Sequence, residues 1–408
     1  MLPAVLAAGC AKTTDDTDYT QFVNPKIGSG GHGHVFVGAN VPFGLVQLGP
    51  TSIPQTWDWC SGYHDSDTTV IGFSHTHLEG TGIGDLFDVT VMPVIGEVTY
   101  ARGEAPAEGA TPEEIEAAIK TGLWSYADRS KEVTKPGYYS VPLTRFGINA
   151  EMTATSRVGL HRYTFPASDS AAIVFDLENG GCWDKATETL TESVDSVTIR
   201  GYRYSTGWAK NQKVFFYAQF SKPFDSFSNM GAYSRMAFHT TEGEQVMVKV
   251  ALSPVSMEGA QANLAAEMPG WDFEGTVKAA EKAWNEELSK IKVDTDDAEA
   301  RTVFYTAMYH TMIQPSVFND VNRDYRGADD QIHTEHGFTN YTTFSLWDTY
   351  RAAIPLMTII HPEKINDIAN TMIGIYRQQG KLPVWHLWGN ETDCMVGNPG
   401  VIALADIL

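Results

Sequence analysis

The segment Trp388–Gly397 reads WGNETDCMVG and sets two carboxylates, Glu391 and Asp393, two residues apart. They lie behind Trp385 and Trp388 and beside Cys394. Hydrolysis of a glycosidic bond calls for two carboxylates on opposite sides of it, and inversion needs roughly 6.5–9.5 Å between them to admit a water. In an extended segment, residues two apart point the same way. Glu391 and Asp393 therefore suit hydroxyl binding, or a share in a metal shell, better than an acid–base couple.

A second candidate is SLWDTYR, Ser345–Arg351. On a helix Trp347 and Arg351 share a face, and Asp348 pairs with Arg351 three residues on. Trp347 could then stack on a sugar, Asp348 accept from vicinal hydroxyls and Arg351 orient Asp348. A surface ion pair beside a core tryptophan is the bland alternative. Two histidine pairs, His32 with His34 and His75 with His77, form a candidate metal cluster that Glu79 and Asp85 could join. They lack the H-E-x-x-H spacing of zinc hydrolases, and cleft-lining polar loops or hydrogen-bonded structural histidines account for them as well. The glycines of IGSGGHGHVF (27–36) match neither nucleotide-binding fingerprint. They read as a tight loop with close backbone approach. DVNRDYRGADDQ (320–331) is not an EF-hand, because Tyr325 and Gln331 stand where Gly and Glu are needed.

A formal charge of −21, with 29 Lys and Arg in 408 residues, excludes nucleic acid as the partner. The 10 Trp and 17 Tyr fit carbohydrate binding, since sugar C–H faces pack on aromatic rings, and fit large polar-tipped cores equally well. Cys10, Cys60, Cys182 and Cys394 are too widely spaced for a zinc knuckle or a C-x-x-C motif, and one disulfide among the last three stays open. The start, MLPAVLAAGCAKTTDDTDYT, is an apolar run ending in small residues and one cysteine. It resembles the tail of a bacterial lipoprotein signal with Cys10 lipidated; a plain signal remnant is the alternative. Membrane contact is then through a lipid anchor, because no later apolar run reaches the ~18 residues of a span.

These residues need two kinds of support. From about Asp18 to Pro254, short alternating runs broken by Pro and Gly predict an all-β sandwich. Thr111–Thr121 is the exception, a short surface helix. Phe273, Val277, Ala280, Trp284, Leu288 and Ile291 then fall on one helix face. Helices are predicted over Ala298–Ile313, Trp347–Ile360, Glu363–Gln378 and Ala403–Leu408. The resulting division is a signal remnant and tether (1–17), a β-sandwich (18–265), a helical linker (266–296) and a helical toroid or bundle (297–408).

Seven motifs, VPFGLVQLGP, WDWCSGYHDSD, GFSHTHLEGTGIGD, KPGYYSVPL, FYTAMYHT, FSLWDTYR and LPVWHLWGNETDCMVG, stand in this order. Together they resemble glycoside hydrolase family 92, the calcium-dependent exo-α-mannosidases, over nearly the whole chain after Thr20. The resemblance implies an N-terminal β-sandwich followed by an (α/α)6 barrel, with the site between them. It implies removal of terminal α-mannose from glycans with inversion, assisted by Ca2+ at the sugar hydroxyls. One of Trp57 and Trp59 would touch the terminal mannose, Asp348 would bind its hydroxyls, with Arg351 beside it, and Glu391 and Asp393 would line the same pocket. The family's segments for the general acid (Tyr-x-Glu-Gly-x-x-Trp), a metal-binding Glu (Asn-Glu-Pro) and the base (Gly-Asn-Asp) are absent from this sequence. The expectation is a barrel incomplete at Leu408, with acid and base beyond it and little or no hydrolysis by this chain itself. The expected location is periplasmic or cell-surface. Two rivals are a non-catalytic glycan-binding lipoprotein and a hydrolase with a metal on His32, His34, His75 and His77.

Overall fold

The computed structural model describes residues 17–408 apart from 105, 108, 120, 182 and 183. Cys10 and Cys182 lie outside the described residues. Cys60 and Cys394 are not joined to each other.

The alternating runs become two antiparallel sheets of six and eight strands. Strand Ser168–Asp176 pairs with Thr90–Ile95 on one side and Tyr233–Thr240 on the other. In the larger sheet, Glu244–Ser253 lies between Gln212–Phe220 and Val158–Phe165. The inward residues of both sheets form one core, with Phe175 stacked on Phe216 at 5.7 Å between ring centres. The predicted surface helix is Pro112–Ile119. It opens on a capping box in which the Thr111 amide donates to Glu114 Oε2 (2.8 Å) and the Glu114 amide to Thr111 Oγ1 (3.3 Å).

Two helices leave the sandwich. Met257–Glu267 packs on the outer face of the large sheet, burying Ala260 and Leu264 beside Val158, Leu160 and Tyr217. Phe273–Leu288 follows, capped by Asp272, which accepts from the Gly275 amide at 2.9 Å. Its predicted face is buried at Phe273, Ala280, Trp284 and Leu288. Phe273 belongs to the sandwich-side cluster, whereas Trp284 and Leu288 belong to the helical core, so one helix is held in two cores.

The helical part contains Ala298–His310, Ala353–Ile360, Pro362–Gln379 and Pro399–Ile407. Pro starts the third, and Gly380 ends it at φ 80°. The predicted helix Trp347–Ile360 is two pieces, Leu346–Thr349 and Ala353–Ile360. The cause is Pro355, which lacks an N–H and would clash with the carbonyl four residues back, and so is tolerated only in the first turn of a new helix. Among the described residues no helix is long and apolar enough to cross a membrane.

Each part completes the core of the other. Trp385, Leu387, Trp388 and Phe318 are buried in the sandwich core, with Trp385 against Trp208 at 4.5 Å between ring centres. Tyr19, Val23, Phe36 and Phe43 are buried in the helical core. Trp284 Nε1 donates to the Asn40 carbonyl (2.8 Å) and the Phe43 amide to the Met312 carbonyl (2.7 Å).

Candidate functional site between the two domains

A cleft of about 270 Å³ opens where the parts meet. The sandwich contributes Glu79. The helical part contributes His310, Thr311, Gln314 and Pro315 from the end of helix Ala298–His310, together with Thr343–Ser345, Thr349, Ala353, Ile354 and Met357. Glu79 Oε2 accepts from the Phe36 amide at 2.6 Å, and Oε1 lies 2.7 Å from His310 Nδ1. His310 Nε2 faces the Ile27 carbonyl at 3.2 Å. A carboxylate and a carbonyl only accept, so each favours a proton on the ring nitrogen that faces it. Burial would lower its pKa, but the Glu79 charge, the contact with it and the Ile27 carbonyl together raise it.

The loop carrying Glu79 is fixed from the sandwich side. The Gly80 amide donates to the His34 carbonyl (2.8 Å), and Trp57 Nε1 donates to the Gly82 carbonyl (2.8 Å). A Cβ on Gly82 would come within 2.6 Å of the Trp57 ring, so only glycine allows that approach. Trp57 stands 50% exposed, between His32 and the edge-on ring of His34. Trp59 turns elsewhere. It stacks on His64 at 4.4 Å, donates to Asp67 at 2.6 Å, and lines a separate cleft of about 240 Å³ with Gln55 and Tyr126.

A small three-stranded sheet brings the two C-terminal motifs together. Ser345 pairs with Trp385, Phe344 with His386, and His386 with Glu391. Ser345 lines the cleft, and its hydroxyl is bonded to exposed Asp348. Arg351 lies over the Trp347 and Tyr350 rings at 4.6 and 4.8 Å, and among the described residues it makes no ion pair with Asp348. The expected Asp348–Arg351 pair is therefore replaced by stacking, because the helix ends at Thr349 and Arg351 leaves its surface. Glu391 turns into its own hairpin, accepting from the amides of Val384 (2.9 Å), Trp385 (3.0 Å) and Asp393 (2.9 Å). Asp393 is exposed and paired with Lys381. Neither Glu391 nor Asp393 lines the cleft.

The four histidines do not converge. His32 and His34 share Asp58 Oδ1 at 2.6 and 3.2 Å on the sandwich rim. His75 and His77 are fully buried, with Nδ1 on the carbonyls of Val89 (2.6 Å) and Gln47 (2.8 Å). Burial holds them neutral, at pKa about 3 and about 4. Among the described residues one trio of metal-ligating groups does converge, Glu287, His361 and Glu363. Its anionic oxygens already hold ammonium groups, Lys290 at 2.7 Å from both glutamates and Lys364 at 2.8 and 2.9 Å. Ca2+ takes six to eight oxygen ligands. A histidine-containing trio neutralised by two lysines does not fit it.

Sequence reasoning named Glu79 only as a partner in a metal cluster and quoted His310 only inside FYTAMYHT. The two residues are far apart in the chain, and the signal available was that both sit in motifs of the family resemblance.

The glycosyl hydrolase family 92 N-terminal domain matches residues 22–253, and the glycosyl hydrolase family 92 catalytic domain matches residues 259–408. The chain is similar to the family GH92 alpha-mannosidase BT3965 from Bacteroides thetaiotaomicron, at 36% identity with TM-score 0.88, covering 96% of this chain and 54% of that one. The same enzyme in complex with mannoimidazole gives TM-score 0.87. The inverting mannosidase BT2199 of that organism shares the fold at 23% identity and TM-score 0.81, covering 97% of this chain and 53% of that one. An uncharacterised secreted glycosidase of Arthroderma benhamiae is 24% identical over 82% of this chain and 45% of its own. The chain thus spans about half the length of these relatives. With both models in register over two interlocked domains, the chain belongs to glycosyl hydrolase family 92.

Proposed function

We propose that this chain is the mannoside-recognising part of an exo-α-mannosidase that releases terminal α-mannose from glycans with inversion. The observation that carries the reading is the 36% identity to an α-mannosidase over 96% of the chain. The interdomain cleft is where the substrate sits in this reading, with apolar walls for sugar C–H faces and polar groups at its floor. Trp57, rather than Trp59, is the sandwich aromatic at the sugar, because it braces the loop that carries Glu79. Asp348, bonded to cleft-lining Ser345, accepts sugar hydroxyls, and Arg351 flanks it. Glu391 holds the hairpin that presents Asp393.

The cleft holds one carboxylate among the described residues, Glu79. Inversion needs two across the bond, and the segments that carry the family's acid and base are not found in this sequence, so little or no turnover is expected from this chain alone. Calcium, on which the family depends in general, is assigned to none of the described residues. The secreted relative supports an extracytoplasmic location, and the lipoprotein-like start of the sequence is what suggests a periplasmic or cell-surface site with Cys10 as a lipid anchor. The single carboxylate also supports a second reading, a lipoprotein that binds glycans without cleaving them.

The intact gene product is expected to hydrolyse an aryl α-mannoside in Ca2+, to stop in chelator, and to release β-mannose first. Preference for another glycoside would overturn the mannosidase reading. Binding of α-mannobiose with no turnover would move the assignment to the second reading.

A further inference from the structure

Resting on the mannoside reading above, we infer that Glu79 accepts a sugar hydroxyl in the interdomain cleft and is held in place for it by His310. An ionised carboxylate has about four acceptor sites. One is taken by the Phe36 amide, the His310 ring lies 2.7 Å from the other oxygen, and the remaining sites are left beside the cleft that Glu79 lines. Both ring nitrogens of His310 face acceptors, Glu79 Oε1 at 2.7 Å and the Ile27 carbonyl at 3.2 Å, so the ring turns no donor toward a ligand. The ligand must supply the proton, which selects a hydroxyl and disfavours an anion. The walls beside the pair, Phe344 and Met357, are apolar and suit the C–H face of a sugar. The contact also joins the domains, since Glu79 rides on a sandwich loop braced by Trp57 and His310 ends a helix of the other part. Glu79 is thus a specificity-determining residue and His310 a positioning residue.

The test is calorimetric binding of methyl α-mannoside and its four monodeoxy analogues to the chain and to Glu79→Gln. Gln keeps the shape and can still accept from Phe36. Loss of a charged acceptor should weaken the parent sugar roughly tenfold to a hundredfold. One deoxy analogue should then bind both proteins alike, because the hydroxyl that Glu79 serves is already gone. Equal binding of the parent by both proteins, or the same loss for every analogue, overturns the inference while leaving the mannoside reading intact. No binding by the unsubstituted chain overturns both. If Glu79→Gln does not fold, the His310 ring N–H resonances of the unsubstituted chain decide: they should shift on saturation with methyl α-mannoside, and unmoved resonances overturn the inference.

Discussion

Glu79 and Glu391 are both engaged carboxylates, one on a loop braced by Trp57 and the other three residues after Trp388, yet they are built into different work. The protons on Glu391 come from three backbone amides of its own hairpin. Glu79 takes one proton from an amide and faces a histidine ring of the other domain at 2.7 Å, beside an open cleft. The histidines divide in the same way. His75, held by a carbonyl on Nδ1, accepts on Nε2 from His161 (3.0 Å), whose Nδ1 accepts from Tyr163 (2.8 Å), a closed neutral chain. His310 meets acceptors on both nitrogens, and, against burial, the Glu79 charge raises its pKa. Residue type thus does not separate structural from ligand-facing groups in this molecule. The source of each partner does, and whether acceptor capacity is left over.

The sharpest way to break the contrast is Glu391→Ala. Three amides lose a charged acceptor in a hairpin packed on Trp385, and the expected loss is about 3 kcal/mol in urea unfolding. Mannoside affinity of the folded fraction should fall no further than in Asp393→Asn, because Glu391 acts only through the hairpin. A stable Glu391→Ala protein that binds more weakly than Asp393→Asn would put Glu391 in the ligand site and erase the distinction from Glu79.

The fold was legible where the chain obeys one period at a time. Alternation with turn residues located strands such as Val158–Phe165 and Glu244–Ser253, and the four-and-three spacing from Phe273 to Leu288 located the linking helix. The apolar run after Trp347 concealed a break, although Pro355 marks it, because hydropathy does not register a missing N–H. The site was less legible. Spacing put Glu391 and Asp393 on one side of an extended segment, but Asp393 sits at φ 54°, outside extended backbone, and Glu391 is consumed by amides that depend on the path of the hairpin. Glu79 meets His310 only through the packing of two domains, and no local pattern encodes that.

Histidine charge gives the next largest effect. Burial holds His386 at pKa about 3, against about 6.5 when unfolded. The unfolded chain therefore binds an extra proton below pH 6.5, so stability falls as pH drops through that value and goes on falling toward pH 3. Asp184 and Asp320, pushed up by burial to about 7 and about 6, oppose this over the same interval. The informative quantity is therefore a difference. Between pH 7 and 5, the native chain should lose roughly 2 kcal/mol more than His386→Gln. His310 has the opposite sign. Its raised pKa contributes stability that is complete below the unfolded value and is lost as pH rises through the folded one. Parallel pH profiles for the native chain and His386→Gln would mean that His386 is not held neutral.

A smaller effect is expected at the ion network of Glu287, His361 and Glu363. If Lys290 and Lys364 are its cations, Lys364→Met should cost about 1 kcal/mol, discounted for partial exposure. Chelator should leave the thermal midpoint of the chain unchanged. A midpoint lowered by chelator and restored by Ca2+ would show a metal holding this fold, and would break the reading of the trio as lysine-neutralised.

The smallest expected effect belongs to Asp393, and it bears directly on the pair of carboxylates in the final hairpin. Its partner Lys381 is half exposed, as is Asp393 itself, at 48% and 56% of the side chains. An ion pair this wet is worth roughly 0–1 kcal/mol, because water and salt screen it and two long side chains lose freedom in making it. Asp393→Asn should therefore unfold with the native chain within about 0.5 kcal/mol, in contrast to Glu391→Ala two residues away. Any loss of mannoside affinity in Asp393→Asn then reads on ligand contact alone, since stability no longer competes as the explanation. Unchanged affinity would leave Trp57, Asp348 and Glu79 to define the sugar site. The hairpin would then be only a structural strut between the cleft strand and the sandwich core.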